Sequence, residues 1–75
     1  MKRKLIIKQL RNDKKMSQQE LADKTGINRS YISAIENGVM LPTPDALLEI
    51  ARALDCFYTD LYTEEDLEDI GLEKK

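Results

Sequence analysis

Apolar residues recur along this chain at helical spacing, in short runs divided by turn-forming residues. Residues 2 to 15 read as a first helix, with Ile6 or Ile7, Leu10 and Met16 as its apolar stripe; the run Leu5-Ile6-Ile7 blurs the period. Ser17 then stands as an N-cap with Glu20 three residues on, the spacing of a capping box. A second helix follows from Gln18 to Lys24, with Leu21 and Ala22 apolar, and Gly26 stops it. Ile27 plugs the turn, and Asn28 caps a third helix from Arg29 to Glu36. Ile32 and Ile35 mark its buried face, and Asn37-Gly38 ends it. Thr43-Pro44 opens a fourth helix, Asp45 to Leu54, as N-cap and first helical residue. Leu47, Leu48, Ala51 and Leu54 supply its core face, which leaves Ile50 for another surface. Phe57 to Tyr62 suggests a short fifth helix. Thr63-Glu64-Glu65-Asp66 offers another cap, before Leu67, Ile70 and a terminating Gly71, and residues 72 to 75 are expected to fray. The expected fold is all-α: a compact five-helix domain over residues 1–62, then an acidic extension over 63–75 with the signature of one more short helix.

Length supports one domain with a modest core, a size at which association often adds stability. The basic, then apolar, N-terminus is too short and too interrupted by Lys8 and Arg11 for a signal peptide, and no apolar run is long enough to span a bilayer. The expectation is a cytoplasmic protein with no membrane partner. Cys56 is the only cysteine, so no intrachain disulfide forms, and its neighbours Leu54 and Phe57 suit a small core residue. There is no histidine, the commonest general base and metal ligand. No carboxylate lies beside a nucleophile or a glycine-rich phosphate loop, so neither an enzyme nor a metal or cofactor site is expected.

Net charge changes the picture twice. The whole chain carries −2, which argues against a polyanionic partner. Yet residues 1 to 31 hold nine Lys/Arg against three Asp/Glu, and residues 32 to 75 hold three against eleven. Such a division can turn a basic face to DNA and an acidic face away from it. A solvated surface with an acidic tail gives the same numbers. Within the third helix, Arg29, Ser30, Ser33 and Ala34 stay off the buried face. A helix with polar side chains on its exposed N-terminal side, braced by a preceding helix, has the geometry that enters a major groove. An ordinary helical hairpin is the plainer alternative.

The stretch SQQELADKTGINRSYISAIENG, with Leu10-Arg11 before it and LPTPDALLEIARALD after it, resembles the phage repressor/Cro (XRE-type) helix-turn-helix family. The resemblance covers roughly residues 5 to 62. It implies a repressor-like fold and a sequence-specific double-stranded DNA-binding regulator. Arg29, Ser30, Ser33 and Ala34 would then face base edges; Arg29 suits guanine, Ser30 discriminates less, and Ala34 offers only apolar contact where several relatives carry a long polar reader. Gln18, Asn28, Tyr31 and Asn37 would meet the DNA backbone, with Asn28 also a cap and Tyr31 either there or packed on helix 2. Lys14 and Lys15 could approach phosphates or serve the helix dipole. The family pairs an Arg at the place of Arg11 with the Glu of the ENG stretch, here Glu36. Relatives often carry Lys or Arg in the loop of residues 39 to 43. This chain has none, so backbone N–H groups are expected to act there, while Leu41 packs inward. Asp55 stands where relatives usually have Gly, and an Asp accepts a left-handed backbone better than most residues.

The resemblance further implies a homodimer on a palindromic operator, formed around Ile50, Phe57, Tyr58, Leu61 and Tyr62, with Leu67 and Ile70 as further candidates. The alternative is that these residues finish the core of a single subunit. No small-molecule ligand is expected. A protein-interaction module of the same fold without DNA binding is the competing function; the acidic balance and the uncharged loop are its support.

Overall fold

The computed structural model describes residues 6–72. Over these residues it holds five α-helices and one 3₁₀ turn: α1 (Ile6–Asp13), α2 (Gln18–Thr25), α3 (Arg29–Glu36), α4 (Pro44–Ala53), the turn Tyr58–Asp60, and α5 (Glu64–Ile70). The expected start of helix 1 at residue 2, and the expected fraying of residues 73 to 75, lie outside the described residues.

The starts of α2, α3, α4 and α5 are each set by a local side chain. Ser17 Oγ accepts from the Glu20 N–H at 3.0 Å, and Glu20 Oε1 accepts from the Ser17 N–H at 2.8 Å, closing a full capping box. Asn28, Thr43 and Thr63 cap α3, α4 and α5 in the same sense, accepting from Ser30, Ala46 and Asp66. The helix ends share a second device. After α1, α3, α4 and α5 a left-handed residue lets the next N–H reach back five residues, from Met16 to Arg11, Val39 to Ala34, Cys56 to Ala51 and Leu72 to Leu67. Gly38 and Gly71 fill that position after α3 and α5, but Lys15 and Asp55 fill it after α1 and α4 at φ 56° and 57°. Lys14 and Lys15 therefore sit past the end of α1 rather than in its last turn.

The core is one cluster built from every helix: Ile7, Leu21, Ala22, Ile32, Ile35, Leu47, Ile50, Ala51, Leu54, Leu61, Leu67 and Ile70. α2 packs chiefly on α3 and α4, and α1 rests on α3. In α4 the buried face is Leu47, Ile50, Ala51 and Leu54, while Leu48 is 43% exposed. This corrects the sequence reading, which placed Leu48 inside and Ile50 outside. Both sets fit a helical stripe, but only the first keeps the i, i+3, i+4, i+7 rows that face one neighbour.

Ile50 and Leu61 are buried within the single subunit, as are Leu67 and Ile70, so none of the four offers its side chain to a partner. Helix α5 joins the common core rather than trailing from it, and its end lies on α4: a Cβ placed on Gly71 would meet Pro44 Cγ at 3.7 Å. The expected fifth helix from Phe57 is only the 3₁₀ turn, closed by the Phe57 N–H on Asp60 Oδ2 at 3.4 Å. Phe57 itself is 76% exposed, and Tyr58 and Tyr62 are half-buried. Cys56 is half-buried against the core, and burial first, then Asp60 and Asp55 against an opposing Lys14, pushes its thiol pKa upward. No helix among the described residues is long and apolar enough to cross a membrane.

Candidate nucleic-acid interface

The turn between α2 and α3 is held by short-range bonds. Thr25 Oγ1 donates to the Leu21 carbonyl at 2.8 Å and accepts from the Ile27 N–H at 3.2 Å. Gly26 takes φ 74°, and its N–H bonds the Ala22 carbonyl at 2.8 Å. No atom lies within 4 Å of a Cβ placed on Gly26, so the backbone angle alone demands glycine there. Asn28 Oδ1 accepts from the Ser30 N–H at 2.8 Å and starts α3 directly after the turn.

That geometry leaves Arg29 and Ser30 exposed on the first turn of α3, with Ser33 and Ala34 half-buried one turn later. Arg29, Ser30 and Ser33 line an open groove together with Gln18, the first residue of α2. The structure thus brings one long cation, two hydroxyls and one amide to a single concave face. Such groups can donate to base edges and to phosphate oxygens. A neighbouring hollow along Gln19, Asp23, Asn28 and Arg29 carries Asp23 as well, whose carboxylate accepts from Gln19 Nε2 at 3.0 Å. Among the described residues no cluster of His, Cys, Asp and Glu could hold a metal ion.

Beneath this face runs a buried polar network. Arg11 Nε donates to Glu36 Oε2 at 2.8 Å, Arg11 Nη2 to Glu36 Oε1 at 3.0 Å, and Arg11 Nη1 to the Met16 carbonyl at 2.7 Å. Gln18 Nε2 adds a further bond to Glu36 Oε1 at 3.1 Å. The side chains of Arg11 and Glu36 are 9% and 1% exposed. A bidentate guanidinium–carboxylate pair suits such burial, because both charges are matched by directional bonds. The hydrogen bond with Glu36 outweighs burial and raises the Arg11 pKa above its ordinary value. Among the described residues no buried side-chain nitrogen or oxygen is left without a partner. The network ties α1, Met16 in the turn before α2, the first residue of α2 and the last of α3 into one unit.

Tyr31 is half-buried. Its hydroxyl accepts from the Thr43 N–H at 3.0 Å, and its ring packs against the core, so it links α3 to the cap of α4. Asn37 is exposed at the end of α3, with Nδ2 3.5 Å from Ser33 Oγ. In the following loop, the N–H groups of Asn37, Gly38 and Val39 all bond carbonyls of α3. Within the loop 39–43, the Val39 N–H thus helps end the helix and the Thr43 N–H bonds the Tyr31 hydroxyl. Val39 and Met40 are 76% and 43% exposed, while Leu41 packs on the core. Sequence reasoning missed the bond from Gln18 to Glu36. No local pattern marks it, because the partners meet only when α2 and α3 fold together.

A family model described as helix-turn-helix matches residues 7–58. An uncharacterized HTH-type transcriptional regulator of Sinorhizobium fredii is 49% identical over 45 residues, 60% of this chain and 23% of its own length. A second uncharacterized HTH-type regulator from that organism is 35% identical over 57 residues, 76% of this chain and 74% of its own. The HTH-type transcriptional regulator SinR of Bacillus licheniformis is 38% identical over 61 residues, 80% of this chain and 55% of its own. The chain therefore spans about a quarter of the first of these relatives and about half of the last.

Proposed function

The chain belongs to the XRE-type helix-turn-helix family of transcriptional regulators, and from that premise we propose that it is a cytoplasmic, homodimeric repressor or autoregulated controller acting on an inverted-repeat operator. One observation carries the reading: the exposed first turn of α3 shares a groove with the N-terminus of α2, on top of a buried ion pair. Helix α3 enters the major groove, and Arg29 reads bases, with guanine O6 and N7 its best match. Ser30, Ser33 and Ala34 make weaker base contacts. Gln18, Asn28 and Asn37 hold the sugar-phosphate backbone and fix register. Two copies pair through the end of the molecule that exposes Phe57, with half-buried Tyr58 and Tyr62 beside it. Two-fold symmetry then sets half-sites about one helical turn, roughly 34 Å, apart. Occupancy of such a site rises steeply with protein concentration, which suits a switch at its own promoter.

Selection from a random duplex pool, sequenced after several rounds at near-physiological salt, tests this reading. An enriched inverted repeat with that spacing supports it. Enrichment of a single half-site removes the symmetric dimer. A folded protein that enriches nothing favours the protein-interaction reading, for which the uncharged loop 39–43 and the acidic exposed face of α5 are the supporting features.

A further inference from the structure

Glu36 faces two clients through one carboxylate. Arg11 takes both oxygens, and Gln18 Nε2 donates to Oε1 as well. A carboxylate only accepts, so it imposes a sense on the Gln18 amide: nitrogen inward, toward Glu36. Arg11 holds that carboxylate in place by its bidentate grip. The same Gln18 lines the groove with Arg29, Ser30 and Ser33. Its amide has one N–H used and one left over, with the oxygen fixed in known order beside it. A freely rotating glutamine would present donor and acceptor to DNA equally, and half of those poses would set its oxygen against a phosphate oxygen.

We propose that Glu36 is a positioning residue for DNA binding: through its bond to Gln18 it fixes that amide so that the outer N–H donates to a phosphate at the N-terminus of α2. The inference rests on the DNA-binding reading above and adds a route by which a buried residue at the end of α3 acts on the DNA surface of α2.

The test is a double-substitution cycle in DNA binding, using Gln18→Ala, Glu36→Gln and the two together. The probe is a duplex of about 30 base pairs carrying the sequence enriched by selection, titrated at a temperature where circular dichroism shows all four proteins folded. Gln18→Ala is expected to weaken binding about tenfold, the loss of a hydrogen bond to a charged group. Glu36→Gln should weaken it by a similar factor, and the double variant should bind no worse than Gln18→Ala alone. Losses that multiply would overturn the proposal, because Glu36 would then act on binding by another route. A second readout needs no variant. In the NMR spectrum of the wild-type side-chain amide, one Gln18 proton should sit downfield, held by the carboxylate, and the other should shift on adding the duplex. Two protons at the ordinary positions of a solvated glutamine amide, or no shift with the duplex bound, would contradict it. Absence of any specific duplex from the selection would overturn this proposal together with the reading beneath it.

Discussion

The two halves of this molecule are held together by different forces. The half that carries α1, α2 and α3 is pinned by directional polar bonds: a capping box, a threonine-braced turn, and the Arg11–Glu36–Gln18 network beneath the groove. The half that carries α4 and α5 contributes the larger share of apolar burial, through Leu47, Ile50, Leu54, Leu61, Leu67 and Ile70, and shows no comparable buried ion pair among the described residues. Hydrophobic burial stabilises without specifying angles closely, whereas a bidentate pair fixes both distance and orientation. The difference teaches where accuracy is needed. The surface proposed to match a DNA groove rests on hydrogen bonds, and the remainder supplies cohesion.

Cutting the network should produce the largest effect. Arg11→Ala leaves the Glu36 carboxylate buried without its counter-charge, and removing one partner of a buried pair costs about 3–5 kcal/mol. For a domain of this size that corresponds to a fall in Tm of at least about 10 °C by calorimetry. A fall of only a degree or two would mean that the pair adds little beyond the apolar core. The matching cut in the other half is Leu67→Ala, which empties part of the core for about 2–3 kcal/mol. Measured at a temperature where the protein is still folded, its DNA affinity should be unchanged, because α5 carries none of the residues proposed to face DNA. A large affinity loss there would dissolve the division between the halves.

Arg29→Ala probes the surface without touching either support. Thermal stability should hold within about 0.5 kcal/mol, since Arg29 is exposed. Discrimination at one operator position should fall by about 1–3 kcal/mol in competition binding. The smallest expected effect is a gain. Asp55 occupies a left-handed position at φ 57°, so Asp55→Gly should relieve backbone strain and raise stability by up to about 1 kcal/mol. A loss on denaturant titration would mean that the aspartate side chain itself supports the end of α4.

Local signals were legible in the sequence wherever they act over three or four residues. Ser17 with Glu20, Gly26, Asn28, Thr43 with Pro44, and Gly71 each carry their conformational reason within their own neighbourhood. Positions set by distant partners were not legible in the same way. Leu48 and Ile50 both satisfy helical periodicity, and only the packing of the other elements decides which is buried. Gln18 meets Glu36 across the fold, so its orientation has no sequence mark. The Tyr31 hydroxyl likewise finds the Thr43 amide only once α3 and α4 are adjacent. In the loop after α3, the Val39 N–H is taken up by the Ala34 carbonyl, a pairing that follows from the left-handed Gly38.

The central claim is that two copies of this braced helix pair read DNA in register. Half-site spacing tests it most directly. An operator recovered by selection would be compared with one carrying five extra base pairs between its half-sites, which turns one half-site by about half a helical turn. The account predicts that affinity falls to that of an isolated half-site. Equal affinity for both duplexes would contradict it, because the two recognition helices would then bind without a fixed geometry between them.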